Sequence, residues 1–201
     1  MHISEGVLSG GALLTGWACS GVGIAVGLKK TEPEKIVRTA LISSAFFLAS
    51  LVNVKVGASS THLAFLAPMG LALGWGIFPA VFTALILQAF LLQFGGLLVL
   101  GANTFIMSSA GLAAYLLFGK IISRAKNRVM IFTFAFIAGA FAVILGAFLV
   151  GVFLTMSERN FLTTAKIILL AHIPLAIIEG VVTGFMITWL RKISPEFLEI
   201  S

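Results

Sequence analysis

Apolar residues run along this chain in long blocks, and short glycine, proline or charged breaks separate one block from the next. The pattern predicts helices near 7–28, 36–53, 62–75, 78–94, 102–120, 129–155 and 163–190. The longer blocks reach the roughly 20 residues with which a helix crosses a bilayer. Those at 62–75 and 78–94 are short and are punctuated by Pro68, Gly70, Gly74, Gly76 and Pro79. A re-entrant segment around 55–75 is the alternative there, and irregular backbone at that depth has to line a cavity enclosed by protein.

Composition sharpens this into an all-α integral membrane protein. Hydrophobic residues make up 60% of the 201 positions and charged ones 10%. No long polar stretch offers a soluble catalytic domain, so residues 1–201 are expected to form one transmembrane unit. The formal charge of +6 does not point to nucleic acid. Its cations sit in short loops beside apolar blocks, where they set membrane orientation. Lys29, Lys30, Lys35, Arg38, Lys120, Arg124, Lys126, Arg128, Arg191 and Lys192 fall on one side, against Lys55, Arg159 and Lys166 on the other. Seven crossings, with the N-terminus outside and the C-terminus cytoplasmic, satisfy that bias. Cys19 lies inside the first apolar block and reads as a small packing residue. The start is not expected to be a cleavable signal peptide, because Glu5 stands where a cationic region belongs. The bulky His2 disfavours removal of Met1, so both are expected in the mature chain.

That start carries the most distinctive chemistry. A free amine, the amide nitrogen after it and the His2 imidazole close a five-membered and a six-membered chelate ring. Cu(II) and Ni(II) recruit such an amide and favour square-planar nitrogen sites. The fourth place suits His62, which follows the small polar stretch Gly57-Ala58-Ser59-Ser60-Thr61. An ionisable residue at membrane depth is functional by default. His172 and Glu179 are seven apart, on roughly one helix face, with Pro174 between them. A polar contact explains them better than ligation does. Gln88 and Asn103 are amides in apolar surroundings, and Gly95, Gly96 and Gly101 mark a turn or a close backbone approach. Small residues one turn apart at Gly23 and Gly27, Gly70 and Gly74, and Ala45 and Ala49 let helices approach closely.

Met1-His2, Ser60-Thr61-His62-Leu63, Gln88-Ala89-Phe90, Gly95-Gly96-Leu97, Leu100-Gly101-Ala102-Asn103 and His172-Ile173-Pro174-Leu175-Ala176-Ile177-Ile178-Glu179-Gly180 stand in an order that resembles the CbiM/NikM family. These are the metal-binding S components of nickel and cobalt energy-coupling factor (ECF) transporters, which are ABC importers, and the resemblance runs from residue 1 to about 190. It implies one N-terminal helix ahead of a six-helix core, with a loop at 1–6 inserted into the bundle. It implies Ni(II) or Co(II) held by Met1, His2 and His62 as cargo, with Ser60, Thr61, Gln88, Asn103 and His172 around them. It also implies that Ala45 and Ala49 dock a transmembrane coupling subunit, which works with two cytoplasmic ATPases and in some systems a small extra membrane subunit. The location implied is a bacterial or archaeal inner membrane. Two stretches depart from the pattern: Thr104-Phe105-Ile106-Met107 lacks a second asparagine, and Thr61 replaces a common valine.

No phosphate-binding G-x-x-x-x-G-K-[ST] loop is present, so any ATP chemistry belongs to partners and the chain is no enzyme. The rival readings are an S component for a vitamin-like nutrient, an intramembrane hydrolase using Ser59 or Ser60, and a proton-coupled permease or channel relaying through His172 and Glu179. A filled rather than open cavity separates the first rival from the metal reading. Poor triad geometry disfavours the second, and dependence on ATPase partners tests the third.

Overall fold

The computed structural model describes residues 2–51, 53–56, 59–158 and 162–198, with backbone alone at 2, 53–56 and 59–62. Among these lie seven α-helices: α1 (Gly10–Lys30), α2 (Ile36–Ala49), α3 (Leu66–Leu73), α4 (Ile77–Leu92), α5 (Leu100–Arg124), α6 (Arg128–Ser157) and α7 (Leu162–Ile193). Three short strands, β1 (His2–Ile3), β2 (Asn53–Val56) and β3 (Ser59–His62), form one antiparallel sheet in the order β1-β3-β2.

Local chemistry fixes several helix ends. Ser9 caps α1 by accepting from the Ala12 N–H, and Asn127 caps α6 by accepting from the Met130 N–H at 2.8 Å. Helix α7 continues through Pro174. The predicted helix 36–53 ends at Ala49, and the predicted helix 62–75 shrinks to α3. Strands occupy the interval instead. Asn53-Val54-Lys55-Val56 and Ser59-Ser60-Thr61 are rich in β-branched and hydroxyl side chains, which suit extended backbone better than a helix interior.

Among the described residues, five segments are long and apolar enough to cross a membrane: Gly10–Lys30, Leu66–Leu92, Leu100–Arg124, Arg128–Ser157 and Leu162–Ile193. The chain is a multi-pass membrane protein. Helix α2, at 14 residues, is shorter than these spans. Segment Leu66–Leu92 is not straight, because Gly74 takes φ +52° at a 3-10 turn over Gly74–Gly76. Contacts give the course on either side. Leu66 and Gly70 lie against Gly111, while Leu73 and Gly74 share a cavity with Tyr115, so α3 runs alongside α5. Then Pro79 meets Gly27, Phe78 meets Gly23, and Phe82 meets Trp17 edge-on at 6.2 Å, so α4 runs against α1.

Glycines permit these approaches. A Cβ at Gly70 would strike the Gly111 backbone, and one at Gly27 would lie 2.6 Å from the Trp75 carbonyl oxygen. The poles of the bundle differ. At one, Arg191 donates to the carbonyls of Ile122, Ser123 and Ala125, and Arg38 donates to those of Glu196 and Phe197. At the other, the Ser9 N–H donates to Ser157 Oγ at 3.0 Å and the Glu5 N–H to the Gly95 carbonyl at 2.9 Å.

Candidate metal site

The first residues enter the bundle backward, from its surface toward its interior. Gly6 turns the chain at φ +82°, and Glu5 then docks on the connection between α4 and α5. Besides the backbone bond to Gly95, the Glu5 carboxylate accepts from the Leu98 N–H at 3.1 Å. Gly96, at φ +129°, leaves room for it, since a Cβ there would run into the Glu5 side chain.

One turn inside α5, Asn103 grips Ile3 at two points. The Ile3 N–H donates to Asn103 Oδ1 at 2.8 Å, and Asn103 Nδ2 donates to the Ile3 carbonyl at 3.0 Å. Both residues are buried. An amide side chain offers one donor and one acceptor side by side, the complement of a peptide unit. The other edge of β1 pairs with β3, Ile3 opposite Ser59 and His2 opposite Ser60. Strand β1 therefore lies between a helix and the strand that carries His62.

Glu179, buried in α7, holds the far end of that strand's segment. Its carboxylate accepts from the Ala64 N–H and, at 3.1 Å through each oxygen, from the Phe65 N–H. These two N–H groups come two and three residues after His62, at a place where Phe65 takes a left-handed φ of +48° and α3 has yet to begin. A carboxyl acceptor meets donors that no secondary structure would satisfy. Two turns earlier, His172 is 1% exposed. Its Nδ1 lies 2.7 Å from the Ile168 carbonyl, an acceptor only, so Nδ1 carries the hydrogen and Nε2 offers a lone pair. Among the described residues, Nε2 has no hydrogen-bond partner. That is the arrangement of an imidazole ready to accept a hydrogen bond or bind a metal.

The sequence candidates are distributed as follows. Met1 lies outside the described residues, as do the side chains of His2, Ser60, Thr61 and His62, although the backbones of these four form β1 and β3. Asn103 touches the N-terminal strand. Gln88 is buried, and among the described residues neither end of its amide has a hydrogen-bond partner. Ala45 is exposed and Ala49 half-exposed on α2. Among the described residues, no three His, Cys, Asp or Glu side chains stand together as a metal cluster. Glu5 was not among the candidates, and its pairing with the Gly95-Gly96 turn is a tertiary fact. A lone carboxylate ahead of the first membrane block was the available signal.

Comparison with known proteins bears on this arrangement. Residues 2–197 match the profile of a family, CbiM, described as the cobalt uptake substrate-specific transmembrane region. A Haemophilus influenzae protein named for metal transport is 36% identical over 98% of this chain and 97% of its own. The cobalt transport protein CbiM of Nostoc sp. is 32% identical over 100% of this chain and 82% of its own. A crystal structure of a truncated transition metal transporter superposes with a TM-score of 0.82 at 25% identity, covering 96% of this chain and 99% of that one.

Proposed function

The chain is a multi-pass member of the CbiM family of metal transport proteins, and from that premise we propose that it is the substrate-binding S component of an ECF-type importer for Ni(II) or Co(II). The observation that carries this reading is the N-terminal strand, drawn into the bundle beside β3 and fixed by Asn103 and Glu5. A terminus bound at this many points has a task that needs its own atoms.

In this reading the Met1 amine, the amide nitrogen before His2, the His2 imidazole and the His62 imidazole bind one ion. Holding the backbone of β1 and β3 in advance removes the ordering cost of a flexible chelator. Asn103 sets the depth of the terminus, and Glu179 sets where the strand bearing His62 ends. Ser60 and Thr61 lie on that strand, and the His172 imidazole and the Gln88 amide are further hydrogen-bonding groups buried in the bundle. Amide coordination releases a proton, so loading rises with pH. The relatives named for cobalt favour Co(II), and a planar nitrogen set favours Ni(II). The vitamin-like alternative needs an open chamber where β1 lies.

The course of the chain supports seven crossings, with β3 and α3 together making the third. The basic pole supports a cytoplasmic C-terminus and an outward N-terminus. Energy then comes from a coupling membrane subunit and two ATPases, with the exposed Ala45 and half-exposed Ala49 as the contact on α2.

The test is metal content and competition titration on detergent-purified protein with a free Met1. One tightly held equivalent of nickel or cobalt, lost in His2→Ala, His62→Ala and on an N-terminal extension, is the expected outcome. Unchanged binding in both histidine variants would overturn the four-nitrogen site.

A further inference from the structure

A second built site lies at the basic pole, away from the N-terminal strand. A cavity of about 230 Å³ opens between the end of α1, the start of α2, the Gly74–Gly76 turn and Tyr115. Lys30, Lys35 and Arg38 line it together with Thr31 and Thr39. Lys35 is paired with Glu32 at 3.1 Å. Lys30 is placed over the Trp75 ring, 5.1 Å from its centroid. Arg38 is oriented by donating to the Glu196 and Phe197 carbonyls, each at 3.2 Å.

The hydroxyls say more about the ligand. Thr31 donates to the Gly27 carbonyl at 2.8 Å and Thr39 to the Lys35 carbonyl at 2.9 Å. With their protons committed, both oxygens serve the cavity as acceptors. They converge on Gly76, where a Cβ would stand 3.1 Å from Thr31 Oγ1 and 4.0 Å from Thr39 Oγ1. The cavity thus combines cationic donors for an anion with acceptors for hydroxyl protons. A bare phosphate would use the first set and leave the second idle. A phosphate ester carrying a polyol would use both.

The surroundings identify the source. Thr31 and Thr39 also line an adjoining groove of about 350 Å³ along Leu28, Ile36, Pro79 and Leu87. Leu28 and Ile36 are 61% and 57% exposed and flank its opening. A polar pocket continuous with an apolar groove, at the end of a membrane helix, has the two-part chemistry of a phospholipid. We infer that the Lys30–Arg38–Gly76 cavity binds the headgroup of an anionic polyol phospholipid of the phosphatidylglycerol type, with an acyl chain in the groove between α1, α2 and α4. The site is independent of the metal.

Native mass spectrometry tests this on the full chain, equilibrated with equimolar phosphatidylglycerol, phosphatidylethanolamine, phosphatidylcholine and phosphatidic acid of matched acyl chains. One phosphatidylglycerol is expected to persist at collision energies that strip the others. Lys30→Gln should cut that preference about fivefold, the effect of one cation near an anionic lipid surface. The double variant Thr31→Val, Thr39→Val should abolish the preference over phosphatidic acid alone. Unaltered melting of each variant in phosphatidylcholine nanodiscs shows that it folds. Equal retention of all four lipids, or an unchanged preference in Lys30→Gln, would overturn the assignment. So would displacement of the lipid by inorganic phosphate or glycerol phosphate, which would make it a soluble-anion site, or by an acidic peptide, which would make it a protein dock.

Discussion

Asn103 does for β1 what a neighbouring strand does for an ordinary edge, and it does so from a helix. Asn103→Leu removes both bonds to Ile3 and leaves a buried peptide N–H and C=O without partners. Partners that orient metal ligands typically contribute 10–100-fold in affinity, so a loss of about that size is expected in the competition titration. Asn103→Asp keeps the acceptor and loses the donor, and should fall between. Gly96→Ala acts from the other side of the loop, by strain at positive φ and by collision with Glu5. It should lower metal affinity while leaving the fold largely intact, because that loop lies at the periphery. Glu179→Leu strands the N–H groups of Ala64 and Phe65, about 1–3 kcal/mol each. A drop in melting temperature with Glu179→Leu, partly restored by Glu179→Gln, is the expected result. Equal melting of both variants with wild type would show that the carboxylate holds nothing.

At the scale of elements, α3 is the piece that most needs its neighbours. Every residue of Leu66–Leu73 is buried, and the helix is two turns long. So short a helix has little stability of its own and forms because packing supplies it. The Gly70–Gly111 contact is the closest point of that packing. Gly70→Val should destabilise by about 1–3 kcal/mol through overpacking, read as thermal unfolding in detergent. Helix α2 is the opposite case. It buries only Ser43 and Phe46 and presents Ala45 outward. Replacing Ala45 and Ala49 with Phe should spare both melting and metal binding and abolish uptake in the assembled transporter. Retained uptake would remove α2 from the coupling surface.

For the whole molecule, the expected orientation follows from charge. In a Cys19→Ser background, a cysteine at Leu97 should react with an impermeant maleimide added outside cells, and one at Lys126 only after permeabilisation. The reverse pattern would invert the topology.

Hydrophobic blocks and loop charges are local properties, and they sufficed to determine a multi-pass helical membrane protein, its helix positions within a few residues, and its basic pole. The order of motifs along the chain sufficed for the family. Asn103 was visible as a buried amide in need of a partner, because an apolar helix tolerates such a group only when it is satisfied. What the amide bonds, 100 residues away, was not. The sheet replacing two predicted helix ends, the docking of Glu5 on Gly96, and Glu179 reaching Ala64 and Phe65 belong to the tertiary structure alone. Each satisfies a backbone or carboxylate group with a partner distant in sequence, and periodicity carries no record of such partners.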